Sequence, residues 1–184
     1  MTELLVLCTG NAARSVMAGF MLETLETLET LETLETGRAG TDLHIVTGGT
    51  HTVDGQPMGL RTRTALKALP ELAEVEFGRH RSRQVGGADL ARADLVVVME
   101  ADHVRFVRRH YPEAAGRTAT IRRLCEDLPP APPSLPERVA GLGLADAMLS
   151  DADDVLDPAG GEAREYEACV TELWVLCRRL ITLL

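Results

Sequence analysis

Cys8 and Arg14 stand at the two ends of a short polar loop, Thr9-Gly10-Asn11-Ala12-Ala13, and Ser15 follows directly. A thiolate is a strong nucleophile, and a guanidinium binds a tetrahedral oxyanion through parallel charge-assisted bonds. A loop of this length that ends where a helix starts can turn several backbone N–H groups inward. Those donors and the positive end of the helix dipole suit a phosphate or a similar dianion. The same field would stabilise the thiolate form of Cys8. Gly10 permits a backbone that other residues avoid. Asn11 is assigned to holding the loop's shape, and Ser15 to a hydroxyl contact with the Cys8 sulfur.

The elements around this loop follow from periodicity. Leu4 to Leu7 is an unbroken apolar run of the kind a buried parallel strand shows. From Val16 to Thr36 the chain is compatible with one long helix, and Gly37 and Gly40 are stop signals. Its distal part, residues 22–36, is a low-complexity repeat of Leu-Glu-Thr. Each three-residue step turns an α-helix by about 300°, so successive leucines drift by about −60° and cannot all face one sheet. The far end is therefore expected to project beyond the core, and the repeat is the expected surface for self-association. Further strands are expected over Asp42–Val46, Ala93–Met99 and around Thr118–Ile121. Helices are expected over Pro57–Leu69, Ala101–Tyr111 and Glu162–Leu183, with a short one in Pro136–Leu149 near the mouth of the site. Pro129 to Pro136 reads as a stiff, extended surface loop. This order of elements indicates an α/β domain whose parallel sheet is covered by helices on both faces.

Composition narrows the function classes. The 184 residues suit one domain with a sizeable core. A net charge of −9 argues against general nucleic-acid binding, so an anionic ligand would need a locally positive site. No apolar stretch approaches a transmembrane length, and the N-terminal run is too short for a signal peptide, so a cytoplasmic location is expected. The cysteines Cys8, Cys125, Cys169 and Cys177 show no metal-ligand spacing, and neither a metal nor another cofactor is expected.

The run Cys8-Thr-Gly-Asn-Ala-Ala-Arg14-Ser15, with the strand before it and Ser15-Val-Met-Ala18 after it, resembles the phosphate loop of the low-molecular-weight protein-tyrosine phosphatases. That family includes bacterial arginine phosphatases and some arsenate reductases. The resemblance implies a single domain over residues 1–184, a three-layer α/β sandwich with a four-stranded parallel sheet in the order 2-1-3-4. It implies Cys8 as nucleophile and residues 9–15 as phosphate cradle. Asp157-Pro158-Ala-Gly-Gly161 resembles the family's Asp-Pro loop, which makes Asp157 the expected general acid. Asp151, Asp153 and Asp154 read instead as solvated acidic residues around a turn. Thr47-Gly-Gly-Thr50 resembles a segment bordering the site, with the Thr47 hydroxyl available to the loop. His80 matches a histidine that helps order the loop through Asn11.

The function implied is metal-independent hydrolysis of phosphorylated protein side chains, phosphotyrosine or phosphoarginine, through a phosphocysteine. Arsenate reduction with a small-thiol partner and non-catalytic binding of an anion or phosphoprotein are the alternatives. Several positions depart from the family pattern. Ala13 replaces a cysteine often found beside the arginine, Ala12 replaces a bulky or β-branched residue, and Ala159 replaces an aromatic.

Overall fold

The structure is a computed structural model that describes residues 1–36, 42–131 and 133–184, without the side chains of residues 32–36. The expected stop signals Gly37 and Gly40, and Pro132 of the proline-rich stretch, lie outside the described residues. Four parallel strands, β1 (Thr2–Cys8), β2 (Leu43–Gly49), β3 (Leu95–Val98) and β4 (Thr118–Thr120), form one sheet in the order β2-β1-β3-β4. The helices are α1 (Arg14–Thr36), α2 (Leu60–Lys67), α3 (Gly87–Arg92), α4 (Ala101–His110), α5 (Ile121–Asp127), α6 (Leu135–Ala140) and α7 (Ala163–Ile181).

The two-residue period of a strand divides the core. Leu4, Val6 and Cys8 of β1 join Leu95 and Val97 of β3 on the face covered by α1, α2, α5 and α7. Leu5 and Leu7 join Val96 and Val98 on the face covered by α3 and α4. Leu4 to Leu7 are fully buried, which accounts for their unbroken apolar pattern. Cys8 therefore ends the central strand opposite Gly49, on the α1/α7 side, at the carboxyl edge of the sheet. Ligand sites of open α/β sheets lie at this edge.

The leucine drift of the repeat is visible in the burial along α1. Leu22 is 0% exposed and Leu25 8%, whereas Leu28 is 42% and Leu31 55% exposed. The helix spans about 35 Å at 1.5 Å per residue, against about 23 Å for a seven-residue strand. Its distal turns therefore overhang the sheet. Closer in, α1 approaches β2 at Gly19, where a Cβ would come within 2.5 Å of the Thr47 methyl.

Two expectations change on the α6 side. The proline-rich stretch does not remain extended to its end: Leu135 and Pro136 open α6, with Ser134 and Glu137 forming a capping box. Proline is tolerated there because the first helical N–H groups have no intrahelical partner. Nor is this helix fastened at the mouth of the site. The buried Arg138 donates to the carbonyls of Pro129 at 2.8 Å and Leu183 at 2.5 Å, which binds α6 to the far end of α7.

Gly19→Ala tests the α1–β2 contact. The clash with Thr47 should outweigh the gain in helix propensity, overpacking costing about 1–3 kcal/mol against about 1 kcal/mol gained. Thr47→Ser removes the offending methyl, so urea denaturation of the two single variants and the double variant should give a favourable coupling between them.

Candidate active site

The loop from Cys8 to Ser15 is shaped through its carbonyls. Thr50 N donates to the Cys8 carbonyl and His51 N to that of Thr9, each at 2.9 Å, continuing the β1–β2 pairing past the strand ends. The Thr52 hydroxyl takes the Gly10 carbonyl at 2.7 Å, and His80 Nε2 takes that of Asn11 at 2.9 Å. The Thr62 hydroxyl of α2 takes the Ala12 carbonyl at 3.1 Å. Met17 N takes that of Ala13 at 2.8 Å, which starts α1. With its carbonyls engaged on the outside, the loop turns its N–H groups toward the centre. None of the N–H groups of residues 9–13 donates to a partner among the described residues.

Asn11 is the keystone of the turn. It has a left-handed backbone, φ 47°, a conformation that asparagine adopts more readily than most non-glycine residues. Its Oδ1 accepts from Arg83 N at 3.1 Å, and its Nδ2 donates to Ser15 Oγ at 3.0 Å. Ser15 Oγ lies in turn 3.0 Å from Cys8 Sγ. His80, Asn11 and Ser15 thus stand as the sequence places them, in one buried chain that ends at the sulfur. The His80 pKa is lowered by burial, partly opposed by its bond to the Asn11 carbonyl and reinforced by Arg81.

Thr47 stands apart from this arrangement. It lies inside β2 opposite Val6, its carbonyl accepts from Arg83 Nε at 2.9 Å, and its methyl faces α1. The hydroxyls that hold the loop belong to Thr52 and Thr62. Close approach also explains the glycine at the end of β2: a Cβ on Gly49 would lie 2.7 Å from the Thr9 carbonyl oxygen.

Arg14 is 1% exposed, and three groups hold its guanidinium. Glu100 Oε2 and Asp157 Oδ2 each lie 2.5 Å from it, and the Val155 carbonyl 3.0 Å. Burial works against its charge, but the Glu100 hydrogen bond and the charges of Asp157, Glu100 and Cys8 more than offset this, so its pKa is raised. Asp157 is 39% exposed, at the open side of the loop. Its Oδ1 accepts from Ala159 N at 3.0 Å, which folds the Asp-Pro turn. The segment before it is anchored on the sheet edge. Val155 N donates to the Met99 carbonyl, and Asp154 accepts from Ala101 N at 2.7 Å. Asp154 is therefore a cap for α4 rather than a solvated residue, and burial raises its pKa.

The sequence reading did not find Glu100 and His103. Glu100 comes two residues after the buried β3, at the carboxyl edge, a position where a carboxylate could have been suspected. His103, one helical turn on, places Nε2 3.0 Å from Thr9 Oγ1 and 3.3 Å from Glu100 Oε1. Burial, followed by the neighbouring Arg14 charge, lowers its pKa to about 3. The other cysteines are buried, Cys169 within electrostatic reach of Arg14, Asp157 and Cys8, and Cys125 and Cys177 away from the site. Desolvation pushes Cys125 up to about 11, Cys169 up to about 12 and Cys177 higher still. Among the described residues no group of side chains is arranged to hold a metal ion, and no helix is long and apolar enough to cross a membrane.

A cysteine at the end of the central strand, a cradle of inward N–H groups and a buried arginine under an aspartate define a phosphatase of the Cys-x5-Arg kind. Residues 3–131 match the family described as low molecular weight phosphotyrosine protein phosphatase, and the chain belongs to that family. A protein-arginine-phosphatase of Geobacillus stearothermophilus is 24% identical over 179 residues, covering 97% of this chain and 93% of that protein. The fold is also that of a low molecular weight protein tyrosine phosphatase from T. tengcongensis, at TM-score 0.69 and 24% identity over 98% of each chain. A mutant of the YwlE arginine phosphatase with a phosphorylated active-site serine superposes at TM-score 0.71 and 18% identity, over 98% of this chain and 93% of that one.

The buried His80 and His103 should make stability pH-dependent. A group whose folded pKa lies below its unfolded value of 6.5 leaves the unfolded chain holding the extra proton between the two. The contribution is complete above about pH 6.5 and is lost as pH falls toward the folded value. Its slope is up to about 1.4 kcal/mol per pH unit for each histidine. Urea denaturation in a pH series from about 7 to about 4 should show this acid loss, and His103→Gln should flatten it. An unchanged slope would exclude a neutral buried His103.

Proposed function

We propose that the chain hydrolyses phosphorylated protein side chains in two steps through a phosphocysteine. Cys8 Sγ attacks phosphorus in line, the S–P bond forms, and the bond to the leaving group breaks as Asp157 gives that group its proton. Arg14 and the loop N–H groups stabilise the equatorial oxygens while charge moves. Water then attacks phosphorus, Asp157 takes its proton, and the S–P bond breaks to release phosphate and restore the thiolate. The observation that carries this reading is that every carbonyl from Cys8 to Ala13 is engaged, an arrangement that suits N–H groups left to bind an anion beside the Cys8 sulfur. Ser15 Oγ, 3.0 Å from the sulfur, suits a donor that stabilises the thiolate as nucleophile and leaving group. The phosphoserine in the YwlE mutant is consistent with covalent transfer in a relative of the same fold.

Phosphotyrosine is the first substrate reading and follows the family description. Phosphoarginine is the second. Asp157 already pairs with one guanidinium, so the same carboxylate can face the guanidinium of a phosphoarginine. Ala159 stands where the family pattern has an aromatic that would grip a phosphotyrosine ring, and the Geobacillus stearothermophilus relative carries the arginine-phosphatase name.

Cys8→Ser should abolish turnover of an aryl phosphate while leaving the thermal unfolding transition in place, because a serine hydroxyl is a poor nucleophile at neutral pH. Asp157→Ala should slow turnover by about 10²–10⁴-fold, in the range for a general acid. The loss should be greatest for poor leaving groups. Parallel assays on phosphotyrosine and phosphoarginine peptides rank the two substrates. Full activity in Cys8→Ser would end the proposal.

A further inference from the structure

The distal half of α1 plays no part in the chemistry above, yet it bounds a wide concavity on the protein. Where α1 leaves the sheet it runs beside the second half of α7, and between them lies a groove of about 580 Å³ lined by Leu25, Leu28, Trp174, Val175 and Ile181. Leu28 and Val175 expose apolar surface there, and Leu31, one helical turn beyond Leu28, is 55% exposed. Apolar side chains gathered at one place, unlike scattered ones, mark an interaction surface.

The two walls carry opposite charge. The repeat brings a glutamate every third residue and no basic residue, and Glu29 and Glu71 line that side of the groove. Arg178 and Arg179 line the other, at the carboxyl end of α7 where cations complement the helix dipole. A patch with an apolar centre, one acidic wall and one basic wall is its own complement under a two-fold rotation. The acidic wall of one copy meets the basic wall of the other, and the converse contact forms at once. An anionic lipid surface or a nucleic acid would instead face the glutamates of the repeat.

We propose that this groove is the interface of a two-fold homodimer, with Leu28 and Leu31 of each copy seated against Trp174 and Val175 of the other. The interface begins at Leu25, about 16 Å along α1 from Arg14 at 1.5 Å per residue. Dimerisation therefore leaves both phosphate cradles accessible.

Sedimentation analysis of the full chain over a wide concentration series tests this, with circular dichroism as the control for folding. The wild type should sediment as a dimer. Leu28→Glu with Leu31→Glu should sediment as a monomer. So should Glu29→Arg with Glu71→Arg, and Arg178→Glu with Arg179→Glu, each taken alone. Like-charge contacts at an interface should weaken association by about a hundredfold or more. Mixed in equal amounts, the two charge-reversed proteins should form a heterodimer, which also shows that both are folded. A monomeric wild type, a dimer indifferent to these substitutions, or charge-reversed proteins that fail to pair would each overturn the proposal.

Discussion

The site depends on where a handful of carbonyl oxygens point. A loop of consecutive peptide units can present either its oxygens or its N–H groups to the centre, and only the second arrangement attracts an anion. Here Thr50, His51, Thr52, Thr62 and His80 surround the loop and draw the oxygens outward. Each such bond is worth only about 0.5–1.5 kcal/mol net. Their joint effect is geometric, because losing one would free a peptide unit to turn. The donors come from the segment after β2, from α2 and from the turn before α3, so the cradle exists only when the layer around it is assembled. Function and fold thus share the same bonds.

Arg14 adds the fixed charge. A guanidinium taken out of water is tolerated only when its charge and donors are satisfied. Glu100, fastened to the end of β3, and the Val155 carbonyl hold it from the protein side. Asp157 meets it from the more exposed side. The two carboxylates differ in their supports. Glu100 also contacts His103, whose low pKa keeps that ring uncharged beside the arginine. Asp157 sits on a turn closed by its own bond to Ala159 N, and Gly160 in that turn has a left-handed φ of 81°. One carboxylate is fixed behind the arginine, and the other stands on a more exposed turn.

What was legible in the sequence was local. Cys8, Asn11, Arg14 and Ser15 lie within one short loop of chain, so their meeting could be read from type and spacing. The apolar runs of β1 and β3 and the periodicity of α7 placed the sheet and its last helix. Glu100 and His103 approach the loop across some ninety residues, and no periodicity in the chain announces such a meeting. The Thr47 expectation failed for a geometric reason. The residue lies inside a strand, where its side chain packs on α1, whereas Thr52 lies beyond the strand end and can reach the loop. The short helices α3 and α5 were not anticipated either. With six and seven residues they are too short for the helical period to stand out from a loop.

The repeat is a case where a simple arithmetic of the sequence survives folding. A leucine every third residue cannot hold one face of an α-helix, and the burial of Leu22 and Leu25 gives way to exposure at Leu28 and Leu31 as the drift requires. Fully burying a leucine contributes about 1.5–3 kcal/mol. The first two leucines therefore anchor α1 on the core, while the next two leave part of that contribution unrealised within the single chain. Their neighbours oppose rather than assist the overhang. Glutamates three apart repel by a few tenths of a kcal/mol per pair, and threonine is a modest helix former. Among the described side chains, Thr27 returns a hydroxyl bond to the Glu23 carbonyl, which competes with rather than reinforces the helical pattern. Local propensity alone thus gives little reason for the helix to continue to Thr36. Its stability has to come from tertiary contact along the face it shares with α7, and the apolar surface left over on that face is where any further stabilisation must act.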